Sequence, residues 1–197
     1  MTALMVMQPA DDESATEMLV ERGHAPICHI LRMEMPLADY RRPVTPIPCD
    51  VDLVPFDEER DGSTVFAAFQ AANPTSRTEE AQWWSDMCDD PSMPYDPALW
   101  FVARTGDEIV GFALGARYEV ESGSVGYVAE VGVRPERRGE GIAFAALTSV
   151  IAAFADAKLP TAALDVDVDN LTGALRLYRK AGMAPAPQAT EWANLLH

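Results

Sequence analysis

The chain has 197 residues, enough for one well-buried domain and too few for two ordinary ones. Hydrophobic residues make up 48% and charged residues 23%, which excludes a disordered, collagen-like or coiled-coil chain. Fifteen Lys and Arg against 31 Asp and Glu give a net charge of −16, so a nucleic-acid partner is not expected.

Residues 1–10 read as a loose tail. They lack the basic residues of a signal peptide, and Asp11, Asp12 and Glu13 follow at once, so a cytoplasmic location is expected. Residues 13–22 form a short helical pattern with Ala15, Met18 and Leu19 on one face, closed by Gly23. Pro26–Met35 alternates and reads as a strand, expected to pair with a strand of the main domain or of a partner subunit. Pro43, Pro46 and Pro48 then mark an extended linker over residues 41–50. Residues 1–50 are thus an N-terminal extension and 51–197 the main domain.

Within 51–197 the elements follow steadily. Val51–Phe56 reads as a strand, Asp57–Asn73 as a helix with Val65, Phe66 and Phe69 inward, and Arg77–Met87 as a second helix with Thr78 as N-cap. Leu99–Arg104 and Glu108–Tyr118 alternate around Thr105-Gly106-Asp107, a hairpin signal. Ser124–Val133 is a further strand, Gly139–Ala157 a long helix, Thr161–Val168 a strand, Leu171–Ala181 a helix closed by Gly182, and Thr190–Leu195 a last strand. The apolar region Ile142–Ala155 is too short to cross a membrane, so no membrane partner is expected. The fold class is α/β (α+β), with a central mixed, mostly antiparallel sheet flanked by helices. Cys28, Cys49 and Cys88 form no paired spacing, and His24, His29 and His197 are scattered, so no metal site is expected.

The chemistry concentrates in Val131–Ala143, where a strand runs into a glycine-rich turn and a long helix. A helix N-terminus presents unpaired backbone N–H groups, and Gly139 and Gly141 let a phosphate approach them closely. Arg134, Arg137 and Arg138 add positive charge in an otherwise acidic chain. An ordinary strand-to-helix turn with solvated arginines is the plainer alternative. The chain has no P-loop and no G-x-G-x-x-G dinucleotide motif.

Arg138-Gly139-Glu140-Gly141-Ile142-Ala143 instead resembles the R/Q-x-x-G-x-G/A signature of the GNAT superfamily of N-acetyltransferases. Ala163–Asn170, Gly173–Tyr178 and Ala181-Gly182-Met183 resemble that superfamily's later strand, its asparagine and its LYxxxGF helix, in the same order. The resemblance implies acetyl-CoA as cosubstrate, without a metal, in a cleft between the fourth and fifth strands of 51–197. These are the Gly123–Val133 and Thr161–Val168 strands. Its diphosphate would lie on Arg138, Gly139, Glu140, Gly141, Ile142 and Ala143. Its pantetheine arm would pair with the backbone of Val131, Gly132 and Val133. Gly132 marks either such a close approach or a packing constraint.

The same resemblance implies that Tyr178 protonates the departing thiolate, a task that suits a phenol of pKa near 10. Asn170 matches the cofactor-contacting asparagine and also suits a helix N-cap. Glu130 stands where several family members carry a catalytic carboxylate, and an alternating strand leaves its direction open. Glu119 and Glu121 are alternatives for the base, and Tyr127 is a candidate for a water relay. A base is needed because a lysine-like amine costs on the order of 4 kcal/mol to present neutral near pH 7.

The 15–23 helix and the strand after it resemble the end of another such domain, so the chain resembles the C-terminal half of tandem acetyltransferases of the mycothiol synthase type, with the first domain reduced to its tail. The expected activity is acetyl transfer to an amine of a small-molecule acceptor, and the resemblance is compatible with a homodimer. The alternatives are a noncatalytic acyl-CoA-binding or sensing module, or an acetyltransferase for protein N-termini or lysines. Asp86, Asp89, Asp90 and Asp96 either line the acceptor mouth, suiting a cationic molecule, or form a solvated loop.

Overall fold

The computed structural model describes residues 4–9, 13–121, 123–167, 173–186 and 189–194, with side chains described over 14–25, 30–121, 123–167 and 173–186. In chain order the elements are β1 (Leu4–Pro9), α1 (Glu13–Glu21), β2 (Ala25–Pro36), β3 (Asp52–Pro55), α2 (Glu58–Ala72), α3 (Glu80–Cys88), β4 (Trp100–Thr105), β5 (Glu108–Val120), β6 (Gly123–Val133), α4 (Ile142–Asp156), β7 (Thr161–Asp167), α5 (Ala174–Lys180), β8 (Ala184–Pro185) and β9 (Ala189–Asn194). This is the expected α/β class with a mixed, mostly antiparallel sheet. The chain groups into two compact units, Met1–Met35 with Leu164–His197, and Pro36–Ala163.

In the first unit the strands run in the order β1-β9-β2 and on to β7, with β8 attached to β2. The expected strand at 25–35 pairs antiparallel with β9, from Ala25 opposite Ala193 to Ile30 opposite Ala189. The expected loose tail at 1–10 is corrected: Leu4–Pro9 is a strand on β9, with Leu4 opposite Asn194. That pairing joins the two ends of the chain, so no local pattern announces it. Leu19, Leu31, Met33, Leu164, Val166 and Met183 are buried here, and Arg32 holds Asp165 through Nε and Nη2 at 2.9 and 2.7 Å.

In the second unit the order is β7-β6-β5-β4-β3, antiparallel except for the β6–β7 pair. The β4–β5 hairpin closes through Gly106-Asp107, Thr105 lying opposite Glu108 and Gly106 having φ 58°. The Asp57 side chain caps α2 by accepting from the Arg60 N–H at 2.9 Å. A Cβ on Gly132 would strike the Phe112 ring and the Ala72 Cβ, which places Gly132 on the α2 face of the sheet. Val133 and Ala103 point the other way, into a buried cluster with Ile142 of α4.

Three helix boundaries differ from expectation. α3 starts at Glu80 with Glu79 at its cap position and no side-chain cap, while the Thr78 N–H instead donates to the Ser76 hydroxyl at 3.3 Å. α4 starts at Ile142 rather than Gly139, because Pro135–Arg137 form a short 3-10 turn and Gly139 and Gly141 adopt left-handed φ of 86° and 85°. α5 starts at Ala174, with Gly173 at its cap position; Asn170, expected as a helix N-cap or cofactor contact, lies with Leu171 and Thr172 outside the described residues. The two-residue β8 is too short to leave a sequence pattern.

The proline-rich segment is extended, as expected, and it follows α4 backwards. The Leu37 N–H donates to the Pro160 carbonyl at 2.9 Å, and the Tyr40 hydroxyl donates to the Thr148 carbonyl at 3.3 Å. Further on, the Pro46 carbonyl lies beside Gly141 and Ile47 packs against the Val133–Ile142 cluster.

Candidate active site

The turn between β6 and α4 is built by backbone conformation. The Arg137 N–H bonds the Arg134 carbonyl at 3.0 Å and the Arg138 N–H bonds the Pro135 carbonyl at 3.3 Å, which closes the 3-10 turn. Two glycines in the left-handed region then reverse the chain, a conformation that costs a side-chain-bearing residue roughly 1–2 kcal/mol. The first bond into the helix is from the Ala145 N–H to the Gly141 carbonyl at 3.0 Å. The N–H groups of Gly139, Glu140, Gly141, Ile142 and Ala143 therefore have no acceptor among the described residues. Such a row of donors at the positive end of a helix suits an anion.

The three arginines, expected to add positive charge at the turn, are engaged by neighbouring acceptors. Arg134 donates to the Ile109 carbonyl at 2.9 Å and pairs with Glu108 at 3.0 Å. Arg137 pairs with Glu140 at 2.8 Å and with Asp50 at 3.1 Å. Arg138 is exposed and lies on the Ala72 carbonyl at 2.9 Å, with a longer contact to the Val133 carbonyl, 3.4 Å. Two of the charges are thus compensated by carboxylates, and the third tethers the turn to the end of α2. Only spatial neighbours reveal this, since Glu108 and Asp50 lie far from the turn in sequence.

Beside the turn, β6 has ladder partners on one side only among the described residues. β7 accompanies β6 only where Val125–Tyr127 face Thr161–Ala163. From Val128 to Val133 the only ladder partner of β6 among the described residues is β5. The backbone of Val131, Gly132 and Val133, expected to meet the pantetheine arm, lies on this stretch. Gly132 owes its lack of a side chain to packing, since Phe112 and Ala72 fill that space.

A bulge shapes the same strand. Leu114 faces Glu130 and Gly115 faces Val128, so Ala129 is left without an opposite residue. Glu130 lies two residues from Gly132 and shares its α2 face. Its carboxyl makes no hydrogen bond or ion pair among the described residues, and burial pushes its pKa up to about 7. The sequence left this direction open, and the bulge with the Phe112–Gly132 packing fixes it.

The remaining candidates fall elsewhere. Glu119 is exposed and accepts from the Ser124 hydroxyl at 2.6 and 2.8 Å, and Glu121 is exposed in the following turn. Tyr127 is half-buried, with its ring centroid 6.0 Å from that of Tyr118. Tyr178 is half-buried on α5 in the first unit, and its carbonyl accepts from the Met183 N–H at 3.1 Å. Asp86 accepts from Gln82 at 2.7 Å along α3, while Asp90 accepts from Ser92 and Asp96 from the Ala98 N–H in the loop that follows.

Sequence reasoning missed the aromatic wall beyond this strand. Trp100 lies opposite Leu114 on β4 and donates through Nε1 to the Gly115 carbonyl at 3.0 Å. Trp84 stacks on it at 6.0 Å and Tyr95 meets it edge-on at 5.1 Å. The alternation in Leu99–Arg104 marks a strand but not which residue Trp100 faces across it. No group of His, Cys, Asp or Glu suited to a metal ion occurs among the described residues. None of their helices is long and apolar enough to cross a membrane.

Comparison with known proteins agrees with this geometry. Residues 63–183 match the family model described as Acetyltransferase (GNAT) family. A mycothiol acetyltransferase of Streptomyces griseus is 34% identical over 154 residues, covering 77% of this chain and 48% of that protein. One from Arthrobacter is 29% identical over 181 residues, 86% of this chain and 54% of that protein. The chain thus spans about half the length of these curated relatives. The crystal structure of a GCN5-related N-acetyltransferase from Sphaerobacter thermophilus matches with a TM-score of 0.78 at 28% identity, over 98% of this chain and 59% of that one. A glycine turn at the head of α4, a bulged β6 and a family match across both place this chain in the GNAT family of acetyltransferases.

Proposed function

We propose that the chain transfers the acetyl group of acetyl-CoA directly to an amine of a small-molecule acceptor. The carrying observation is the row of N–H groups at 139–143 with no acceptor among the described residues, beside the stretch of β6 that carries the half-buried Glu130, whose carboxyl has no partner among those residues. Acetyl-CoA supplies a thioester-activated acetyl group at one end and a diphosphate at the other. The N–H groups of Gly139–Ala143 hold the diphosphate, with Gly139 and Gly141 leaving the approach clear. The backbone groups of Val131–Val133 orient the pantetheine amides as an added strand would.

Glu130 accepts the proton that the acceptor amine gives up as its nitrogen bonds to the acetyl carbon. A carboxylate tuned to about 7 is both substantially ionised and appreciably basic at neutral pH. Tyr178 is assigned the acid that returns a proton to the sulfur as the carbon–sulfur bond breaks, on its match to the family's LYxxxGF tyrosine alone. A positioned acid or base of this kind contributes roughly 10² to 10⁴ in rate.

The test is thiol release from acetyl-CoA by the purified chain with a panel of small amines, including the acceptor of the mycothiol acetyltransferases. Amine-dependent thiol release, with one acetyl group gained by the amine, is the expected result. Tight binding of acetyl-CoA without turnover on any amine, and with no effect of Glu130→Gln, would support the sensing module instead.

A further inference from the structure

Glu140 lies inside the anion-binding turn, and its own backbone N–H is one of the unpartnered donors. A free carboxylate there would repel a diphosphate. It is not free: Arg137 Nε donates to Glu140 Oε2 at 2.8 Å. The guanidinium is itself held from two further sides. Nη1 donates to the Thr105 hydroxyl at 3.1 Å, at the end of β4, and Nη2 pairs with Asp50 at 3.1 Å. Asp50 in turn ends the proline-rich segment, which is seated by Ile47 in the Val133–Ile142 cluster and by the Pro46 carbonyl beside Gly141. The Arg137 side chain retains only 18% exposure, so it is committed to these partners.

We infer that Arg137 is a positioning residue for the cosubstrate: it neutralises the Glu140 carboxylate and holds it away from the diphosphate turn, with the 37–50 segment anchoring it through Asp50. The inference rests on the proposed binding of acetyl-CoA at 139–143. It assigns Arg137 an indirect role, unlike a phosphate-binding arginine, because its effect passes through Glu140.

Calorimetry of acetyl-CoA binding to wild type, Arg137→Ala, Glu140→Gln and the double variant tests it. Arg137→Ala is expected to weaken binding by about tenfold, with the loss shrinking at high salt. The double variant is expected to recover to within about threefold of Glu140→Gln, which keeps the backbone donor at 140 and serves as its reference. S-acetyl-pantetheine, which lacks the diphosphate, is expected to bind all four equally. A double variant as weak as Arg137→Ala would overturn the inference, as would an Arg137→Ala protein that binds normally. If Arg137→Ala fails to fold, Asp50→Asn substitutes for it, with a smaller loss that Glu140→Gln again relieves; no relief overturns the inference. Folded wild type that does not bind acetyl-CoA would overturn the proposed function itself, a distinct result.

Discussion

Glu130 stands directly opposite Leu114 in the β5–β6 ladder, and Leu114 stands opposite Trp100. The carboxyl therefore shares one row and one sheet face with two fully buried apolar side chains. Among the described residues no partner offsets the loss of water, and burial raises the pKa to about 7. If Glu130 is the base, kcat/KM rises with pH up to about 7 and then levels. Glu130→Gln should abolish that limb and lower kcat by roughly 10² to 10⁴. A pH–rate profile on both proteins checks this, and an unchanged limb in the variant would assign the base elsewhere.

The same carboxyl bears on stability with a definite sign. Its folded pKa of about 7 lies above the ordinary 4.5, so the folded state holds the proton more tightly. The native state therefore loses stability as pH rises from the unfolded value through about 7, by on the order of 3 kcal/mol in full. Urea denaturation at pH 5 and pH 8 should find Glu130→Gln more stable than wild type at the higher pH and close to it at the lower. The reverse ordering would mean that an unseen partner stabilises the charge.

Asp61 is the opposite case. Its buried carboxylate accepts from Arg60 Nε at 2.9 Å and from the Asp57 N–H at 3.0 Å, and pairs with Arg104 across α2 and β4. Burial alone would raise its pKa, but these hydrogen bonds and charges hold it below the usual range. Asp61→Ala leaves the mostly buried Arg104 unpaired and should cost about 3–5 kcal/mol in urea unfolding. Arg60→Ala should cost under about 1 kcal/mol, since Arg60 is largely solvated. The Asp61 contribution is present above the unfolded carboxyl pKa and fades as pH falls below it.

The order of elements from Asp52 to α5 was legible because many carry a local signal: alternation in β4 and β5, the Gly106-Asp107 turn, and the inward Val65, Phe66 and Phe69 of α2. The turn between β6 and α4 was legible because Gly139 and Gly141 are needed for φ near +85°. What the sequence could not show depends on distant partners. The strand at Leu4–Pro9 exists through β9, nearly the whole chain away. Arg137 reads as a free cation until Asp50 and Thr105 are brought to it. Glu130 acquires a direction only from a bulge that is a property of two strands together.

On the proposed function, residues 139–143 bind the diphosphate of acetyl-CoA. Calorimetry of acetyl-CoA with wild type, Gly141→Ala and Gly141→Asp tests it most directly, since both variants bear the left-handed strain and only one adds a negative charge. Binding by wild type, weakened in Gly141→Ala and lost in a folded Gly141→Asp, is the predicted result. Equal binding by wild type and Gly141→Asp would contradict it, as would a folded wild type that does not bind at all.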